Sequence, residues 1–231
     1  MSLILGIDTS GLAGSVALSR GETVLSLRAL EQAGRRHAQT LVAEMAALLT
    51  AQQLSPRDLN AVAVTQGPGS FTGLRVGIVA AKTLAYALKV PLILVDSFDV
   101  IAAQCPADWN TVWIVDDAQR QELYVGRYLR GDAGLWRLEG SRFITPARDW
   151  LASLPVEEIV IGPGTARLAA DIPSPRIQRE IEYTVPRAET VCRLANRRLI
   201  AGEVNDVWTA TPFYIRVSGA EETAAKRAAA K

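Results

Sequence analysis

The chain of 231 residues is long enough for one large domain or two small ones, and its composition is that of a globular protein. Hydrophobic residues make up 49% and charged residues 21%, which excludes a wholly disordered chain. Lysine and arginine number 25 against 24 acidic residues, so no long-range positive field exists to attract nucleic acid. If RNA is the final substrate, another protein is expected to hold most of it.

The two cysteines, Cys105 and Cys192, lie far apart and form no CxxC pair. This spacing favours free buried thiols in a reducing compartment over a disulfide framework or a zinc site. The first eight residues lack the basic segment and long apolar run of a signal peptide, and no stretch approaches the ~18 apolar residues that span a bilayer. We therefore expect a cytoplasmic protein that has no contact with a membrane.

The first hundred residues predict one compact unit with the order β-β-β-α-β-α-β. Short apolar runs end at clusters of turn-forming residues, whereas residues 37–53 repeat their apolar side chains at helical spacing. Strands are predicted at residues 3–7, 15–19, 23–27, 61–65 and 92–95, and helices at 37–53 and 73–88. Three antiparallel strands followed by alternating helices and strands make a mixed sheet with helices packed on it.

The second unit is predicted to repeat the first in reduced form. Strands are predicted at residues 112–115, 122–129, 135–143 and 159–161, and a helix at 186–202. We therefore divide the chain into a first lobe, 1–103, and a smaller second lobe, 104–217. The Ala/Lys/Glu-rich tail, 218–231, has no apolar face to hold a helix and is predicted to be disordered.

Asp8 ends the first predicted strand and opens a turn with Thr9 and Ser10. Two interpretations remain open. In the superfamily of actin, sugar kinases and Hsp70 ATPases, a carboxylate at this position approaches the metal and phosphates of ATP, so Asp8 and Ser10 are candidate contacts for an anion or a nucleotide. Alternatively, the side chains cap their own turn through hydrogen bonds to the backbone.

An ATPase of that kind needs a second glycine-rich acidic loop in the second lobe. The equivalent segment here, residues 115–118, contains Asp116 and Asp117 but no glycine that would let the backbone approach a phosphate. The sequence therefore argues against independent ATP hydrolysis.

Residues 67–75, with the sequence GPGSFTGLR, form the most specific stretch of the chain. The glycines supply unusual backbone angles, and Ser70 or Thr72 can cap the following helix. The free amides at that helix start can bind an anion, and the candidate contacts are Gly69, Ser70, Thr72 and Arg75. A plain structural turn remains the alternative, because the lysine and the spacing of a P-loop are missing.

The helix after this stretch has small residues at four-residue intervals, namely Gly73, Gly77, Ala81 and Ala85. Such a face lets a second helix approach closely. The sequence alone leaves open whether this face packs on the protein's own sheet and helices or forms a helix-on-helix interface with a partner.

His37 is the single histidine of the chain and stands at a predicted helix start. With no second histidine and no cysteine pair, a histidine-based metal site is implausible. No nucleophile is implicated near His37 that would complete a catalytic triad. We predict neither a metal site nor a catalytic residue.

Five segments together resemble the TsaB (YeaZ-type) family in their order and spacing. They are LGIDTS at 5–10, RHAQTL at 36–41, the glycine-rich stretch at 66–77, DAQRQELY at 117–124 and PFYIR at 212–216. The fourth segment is similar to the DARxxEVY pattern of the family and the fifth to its PxYxR ending, so the resemblance covers residues 3–216. Gln119 departs from the family, which usually has arginine there, and this places any role of that arginine between the lobes in doubt.

The resemblance implies a two-lobed α/β fold of the actin-like, Hsp70 ATPase-like (ribonuclease H-like) type, with mixed sheets and a reduced second lobe. It implies a non-catalytic scaffold in the machinery that forms N6-threonylcarbamoyladenosine at position 37 of tRNAs that read codons beginning with A. The implied partners are a catalytic TsaD-like subunit, a small TsaE-like ATPase and, in their absence, a second copy of the chain. tRNA is then contacted only through the complex. This chain is expected to hold no cofactor, since ATP belongs to the partner subunits and at most touches it weakly at the interface.

The resemblance places the TsaD-like partner on the two helices of the first lobe. The residues predicted to line that interface are His37, Leu41, Gly73, Val76, Gly77, Ala80, Ala81 and Leu84. The alternative function is an independent enzyme, either a small-molecule kinase or a peptidase of the glycoprotease type. The missing second loop argues against the kinase, and the single histidine argues against a metal-dependent peptidase.

Overall fold

A computed structural model of the protein describes residues 1–11, 13–30, 37–155, 157–168 and 181–214. Within this part of the chain, two mixed sheets covered by helices form the framework. The tail predicted to be disordered, 218–231, lies outside the described residues, and so do the last two residues of the segment at 212–216.

The first lobe is built around a five-stranded sheet. Its elements are, in chain order, β1 (Leu3–Asp8), β2 (Ser15–Arg20), β3 (Thr23–Ala29), α1 (His37–Ala51), a single 3-10 turn (Pro56–Asp58), β4 (Ala61–Gly67), α2 (Phe71–Leu88), β5 (Leu92–Asp96) and α3 (Ser97–Gln104). The strand order is β3-β2-β1-β4-β5; β1, β2 and β3 are antiparallel neighbours, and β1, β4 and β5 run parallel. The predicted order of strands and helices is confirmed, but α3 was not predicted.

The second lobe repeats this build with fewer elements. They are β6 (Thr111–Asp117), β7 (Glu122–Arg130), β8 (Trp136–Pro146), α4 (Ala147–Ser153), β9 (Val160–Ile161), α5 (Thr165–Leu168) and α6 (Ile181–Thr184). The order β8-β7-β6-β9, with β6 antiparallel to β7 and parallel to β9, matches the order β3-β2-β1-β4 of the first sheet. The two sheets therefore show the duplication expected from the sequence, whereas α4, α5 and α6 were not predicted.

The last helix, α7 (Ala188–Ile200), packs on the first sheet. Its buried side chains, among them Val191 and Cys192, share a hydrophobic cluster with β1, β4 and β5. A Cβ atom added to Gly6 on β1 would lie 2.6 Å from Cys192 Sγ, so the glycine lets helix and strand approach closely. The predicted second lobe, 104–217, is corrected here: the chain returns to the first lobe because the second face of that sheet needs an apolar cover.

Helices cover both faces of the first sheet. α1 and α2 pack on one face, where Leu41, Leu48 and Ile78 are buried among side chains of β1 and β4. α7 covers the other face. α3 joins the lobes, because Phe98 and Ile101 share a cluster with side chains of β6 and β9.

α2 begins and ends at defined caps. Ser70 Oγ accepts a hydrogen bond from Gly73 N at 3.3 Å, and Lys89 ends the helix in the left-handed conformation. By length and composition alone α2 is apolar enough to cross a membrane, in contrast to the expectation that no stretch comes close. In the fold, one face of α2 packs on β4 and the helix carries Arg75 and Lys82, which is the pattern of an amphipathic core helix.

Candidate functional site

The small residues of α2 face the protein's own sheet. Gly77 lies so close to Thr9 and Val64 that an added Cβ atom would collide with the Thr9 hydroxyl. Thr9 Oγ1 donates a hydrogen bond to the carbonyl oxygen of Gly73 at 2.8 Å, and Ala81 is fully buried. Of the two interpretations left open by the sequence, the geometry supports close packing of α2 on its own sheet.

This packing corrects part of the predicted partner interface. Leu41, Gly77 and Ala81 are buried, so a partner cannot reach them in this conformation. Gly73 is half-buried beside the turn that follows β1. The side chain of His37 lies outside the described part of the chain.

The outer face of the same two helices is apolar and open. Val42 on α1 and Val79 on α2 are 68% and 62% exposed. Val76, Ala80 and Leu84 are half-buried and pack at the margin of the first-lobe core. Three predicted interface residues thus border this face. The two exposed valines were not predicted, because the sequence prediction was based on the small residues of α2 and not on the positions opposite them.

The charged side chains of α1 and α2 are bound to other parts of the molecule. The sequences of the two helices contain three aspartate, glutamate, lysine or arginine residues, namely Glu44, Arg75 and Lys82. Glu44 is buried and pairs with Arg28 of β3 at 2.9 Å, and the two cations contact residues 205–214. Arg75 is exposed one turn before Val79 on the same side of α2, so this face combines exposed apolar side chains with one cation that is bound to residue 214. Exposed apolar side chains on two adjacent helices are typical of a surface that a partner covers.

Residues 205–214, called the C-terminal strap below, lie along one flank of α2. Lys82 Nζ donates a hydrogen bond to the carbonyl oxygen of Ala210 at 2.8 Å. Arg75 Nε donates a hydrogen bond to Tyr214 Oη at 2.9 Å. The guanidinium carbon of Arg75 also lies 3.8 Å from the centroid of the Phe71 ring on α2. The sequence marked the end of this strap only as a family pattern and did not predict that it binds both cations of α2.

Asp8 is buried at the end of β1, where the fold itself uses its carboxyl group. Asp8 Oδ1 accepts hydrogen bonds from Ser10 N at 3.1 Å, Ser10 Oγ at 2.7 Å and Thr65 Oγ1 at 2.8 Å. Asp8, Thr9 and Ser10 are all buried. The geometry therefore supports the interpretation in which these side chains cap their own turn.

The glycine-rich loop closes on the turn after β1. Ser70 N donates to the carbonyl oxygen of Ser10 at 2.6 Å, and a Cβ atom added to Gly69 would lie 2.5 Å from the same oxygen. Thr72 is exposed in the first turn of α2, and Arg75 is directed to the C-terminal strap. Of the six residues predicted to contact an anion or a nucleotide, four lie together at this turn, namely Asp8, Ser10, Gly69 and Ser70. The Ser70 amide that would bind a phosphate is paired with backbone there, and Arg75 is bound elsewhere.

The second lobe has a glycine-rich counterpart that sequence reasoning missed. The Gly-Pro-Gly triplet at 162–164 follows β9 as the triplet at 67–69 follows β4, and Gly164 N donates to the carbonyl oxygen of Val115 at 3.0 Å. Asp116 beside it is half-buried, but desolvation of its carboxyl group raises its pKa to about 7. The repeated triplet was the signal that could have revealed this loop, which again packs on its own neighbouring strand.

The turn between β6 and β7 has an unusual backbone. Gln119, Arg120 and Gln121 adopt left-handed conformations in succession, with φ of 67°, 53° and 65°. This costs a residue with a side chain about 1–2 kcal/mol. The turn is closed by a 3.0 Å hydrogen bond from Ala118 N to the carbonyl oxygen of Glu122. Gln119, the departure from the family pattern, thus lies on a strained turn.

Arg142 on β8 joins the two lobes through an ion pair with little exposure to solvent. Its guanidinium contacts Asp96 Oδ1 at 2.9 Å and donates to Tyr128 Oη at 2.8 Å. Tyr128 in turn donates to Asp99 Oδ1 at 2.9 Å. Burial and the neighbouring Asp99 raise the pKa of Asp96, and Arg142 opposes this shift.

Both cysteines are free and buried, as the sequence predicted. Burial raises the pKa of the Cys105 and Cys192 thiols to about 12. In the part of the chain that the structure describes, no three histidine, cysteine, aspartate or glutamate side chains cluster as metal ligands would. The absence of a metal site stays a prediction, because the side chain of His37 is not among those described.

Two sequence comparisons bear on these features. A family model described as "TsaD: tRNA N6-adenosine threonylcarbamoyltransferase" matches residues 30–191. A protein of Escherichia coli (strain K12) named "tRNA threonylcarbamoyladenosine biosynthesis protein TsaB" is 32% identical over 219 residues, which are 92% of this chain and 94% of that protein. The protein of the same name from Bacillus subtilis (strain 168) is 32% identical over 151 residues, 65% of each chain, so that match spans slightly less than two thirds of the relative.

Solved structures show the same overall build. A crystal structure from Pseudomonas aeruginosa, described as an uncharacterized protein with similarity to peptidase YEAZ, superposes with a TM-score of 0.79 at 28% identity. It covers 94% of this chain and all of the other. The structure titled "YeaZ from Pseudomonas aeruginosa" gives a TM-score of 0.77 at 27% identity, with 93% of this chain and all of the other covered.

Proposed function

Because the chain belongs to the TsaB family of tRNA threonylcarbamoyladenosine biosynthesis proteins, with the two-lobed actin-like fold, we propose that it is a non-catalytic scaffold for a TsaD-like catalytic subunit. The complex adds a threonylcarbamoyl group to adenosine 37 of tRNAs that read codons beginning with A. In this proposal the chain supplies a binding surface, and the partner supplies the catalytic groups.

The exposed apolar side chains on the outer face of α1 and α2 are the observation that carries the proposal. It exposes Val42 and Val79 to solvent, while Glu44, Arg75 and Lys82 are bound elsewhere in the molecule. An apolar face on two rigid helices suits helix-on-helix packing. Because the partner has the same type of fold, it can offer a matching pair of helices.

The closed loops of both lobes favour a subunit that does not turn over ATP alone. In the first lobe the amide of Ser70 is paired with Ser10, and in the second lobe that of Gly164 is paired with Val115. A phosphate-binding loop needs such amides free and convergent. We therefore assign ATP to the partner subunits, with at most a weak contact at the interface.

The remaining assignments follow from the family. A TsaE-like small ATPase joins the complex, a second copy of the chain can occupy the helix face when the TsaD-like subunit is absent, and tRNA is contacted through the complex. The near-equal numbers of basic and acidic residues suit a chain that does not bind RNA unaided. We place the protein in the cytoplasm.

An independent enzyme is the second candidate. The matching family model is described as a transferase, which favours an activity in this chain. Against it stand the closed loops and the absence of a clustered ligand set among the described residues. Purified chain that turns over ATP without a partner, in proportion to its concentration and above a heat-denatured control, would establish this candidate.

The test is complex formation with the TsaD-like subunit of the same organism, measured by co-purification and isothermal titration. Val79→Glu places a charge on the outer face without touching the core, and we expect about a 100-fold loss of affinity or more. Leu135→Glu, at an exposed apolar position on the hairpin between β7 and β8, is the matched control and leaves binding unchanged. Variants at Gly77 or Ala81 do not serve here, because they would disturb the packing of α2 on the sheet.

Two outcomes contradict the proposal. If wild-type chain does not bind the TsaD-like subunit, the scaffold function is wrong. If Val79→Glu and Leu135→Glu bind equally well, a partner exists but does not use this face. A reconstituted modification assay completes the test, since product should form only when this chain is present with its partners.

A further inference from the structure

The C-terminal strap is fixed along its length. At one end Asn205 N donates to the carbonyl oxygen of Leu92 at 2.8 Å. At the other end Phe213 N donates to the carbonyl oxygen of Gln66 at 2.7 Å. Ala210 between them is buried against the first-lobe core. The backbone that carries the side chains of the strap is therefore fixed to the first lobe by hydrogen bonds.

Trp208 is held by the strap and is nevertheless open to solvent. It is 72% exposed and forms an edge-to-face pair with Tyr86 of α2, which is 60% exposed. The ring centroids are 5.1 Å apart and the planes meet at 68°. Trp208 N also donates to Asp206 Oδ1 at 2.8 Å, and Lys82 Nζ donates to the Trp208 carbonyl oxygen at 3.5 Å. The rings of Trp208 and Tyr86 thus form a large apolar pair that is exposed to solvent and borne by a fixed backbone.

This aromatic pair continues the outer face of the helices. Tyr86 follows Thr83 by three residues and Val79 by seven, so the three side chains share one side of α2. All three are exposed. The pair therefore lies at the C-terminal end of the outer face, where the strap and α2 meet.

We propose that Tyr86 and Trp208 form an aromatic anchor that receives an apolar side chain of the TsaD-like subunit. The inference rests on the proposed function and extends its interface from the two helices to the C-terminal strap. Tyrosine and tryptophan dominate the binding energy of many interfaces because they offer a large contact area. The contact between the two rings favours one arrangement of the side chains before binding, which lowers the conformational entropy lost when a partner binds.

The test is titration of the TsaD-like subunit with Trp208→Ala and with Trp208→Phe. We expect Trp208→Ala to raise the Kd by about 10–100-fold, and Trp208→Phe, which keeps an aromatic ring, to recover most of the loss. Ile200→Ala is the matched control, because Ile200 is 79% exposed on α7, which packs on the opposite face of the sheet. The thermal midpoint of each variant should stay within about 2 °C of wild type, as expected for exposed positions.

The outcomes separate this inference from the proposed function. If Val79→Glu abolishes binding while Trp208→Ala binds like wild type, the helix face is the interface and the anchor is wrong. If wild-type chain does not bind, both are wrong. If Trp208→Ala weakens only the self-association of this chain, the occupant is a second copy and the inference is overturned. A loss of affinity for the TsaD-like subunit that occurs with Trp208→Ala and not with Ile200→Ala supports the aromatic anchor.

Discussion

Replacing Arg142 by methionine tests whether its ion pair holds the two lobes together. The guanidinium lies 2.9 Å from Asp96 Oδ1 and 2.8 Å from Tyr128 Oη, and both partners are buried. Methionine keeps the length and the apolar stem of the side chain but removes the charge. The Asp96 carboxylate is then left buried beside the like charge of Asp99.

Removing one partner of a buried ion pair costs about 3–5 kcal/mol. Asp96 keeps its cap bonds at the start of α3, from Phe98 N at 2.8 Å and Asp99 N at 3.3 Å, so we expect a loss near the lower end, about 3 kcal/mol at pH 8. Without Arg142 the pKa of Asp96 rises further above its value in the unfolded chain. The folded variant then binds a proton that the unfolded chain releases, so its stability falls as pH rises from about 4 towards 8.

Urea unfolding followed by circular dichroism at pH 5 and pH 8 measures both the loss of unfolding free energy and its dependence on pH. The loss of unfolding free energy should be larger at pH 8 than at pH 5. Arg137→Met is the matched control, because Arg137 lies exposed on the same strand and should change stability by less than about 0.5 kcal/mol. A loss for Arg142→Met no larger than that of the control, at both pH values, would refute the assignment of Arg142 as a link between the lobes.

Three further predictions concern other parts of the fold. In Gly77→Ala the added methyl group meets the Thr9 hydroxyl, and overpacking of this kind costs about 1–3 kcal/mol. The variant should therefore have a thermal midpoint several degrees lower, and an unchanged midpoint would contradict that contact. Arg120→Gly should raise stability by up to about 1 kcal/mol in urea unfolding by relieving a left-handed backbone, and a loss would count against strain in that turn. Cys105 and Cys192, buried with pKa values of about 12, should resist alkylation at pH 8 until the protein is unfolded, whereas rapid labelling of native protein would show that they are accessible.

The strands were predictable because each apolar run in the sequence ends at a turn-forming or charged residue. β1, β4 and β5 are buried on both faces and read as continuous apolar runs, with Asp8, Gly67 and Asp96 at their ends. Predicted and observed bounds of these strands differ by at most two residues. α3 was missed because it has only eight residues, too few for its apolar spacing to stand out, although Asp96 caps it in the usual way.

The placement of α7 could not be predicted from its own sequence. Its apolar spacing shows that one face is buried but does not show which sheet receives that face. The contact is decided by Gly6, far away in the chain, whose missing side chain makes room for Cys192. The same limit applies to α2, because small residues favour close approach of any neighbour, and only the position of Thr9 shows that the neighbour is the sheet.

The two lobes of the duplicated fold share one loop arrangement. In each lobe a Gly-Pro-Gly triplet follows a strand and packs on the neighbouring strand end, with an amide bonded to a carbonyl of Ser10 in one case and Val115 in the other. Backbone groups paired in this way stabilise the loops and cannot at the same time bind an anion. Both faces of the first sheet must still be covered, one by α7 and the other by α1 and α2. Retaining the fold therefore retains the outer face of α1 and α2, which is the surface that the proposed partner-binding function needs.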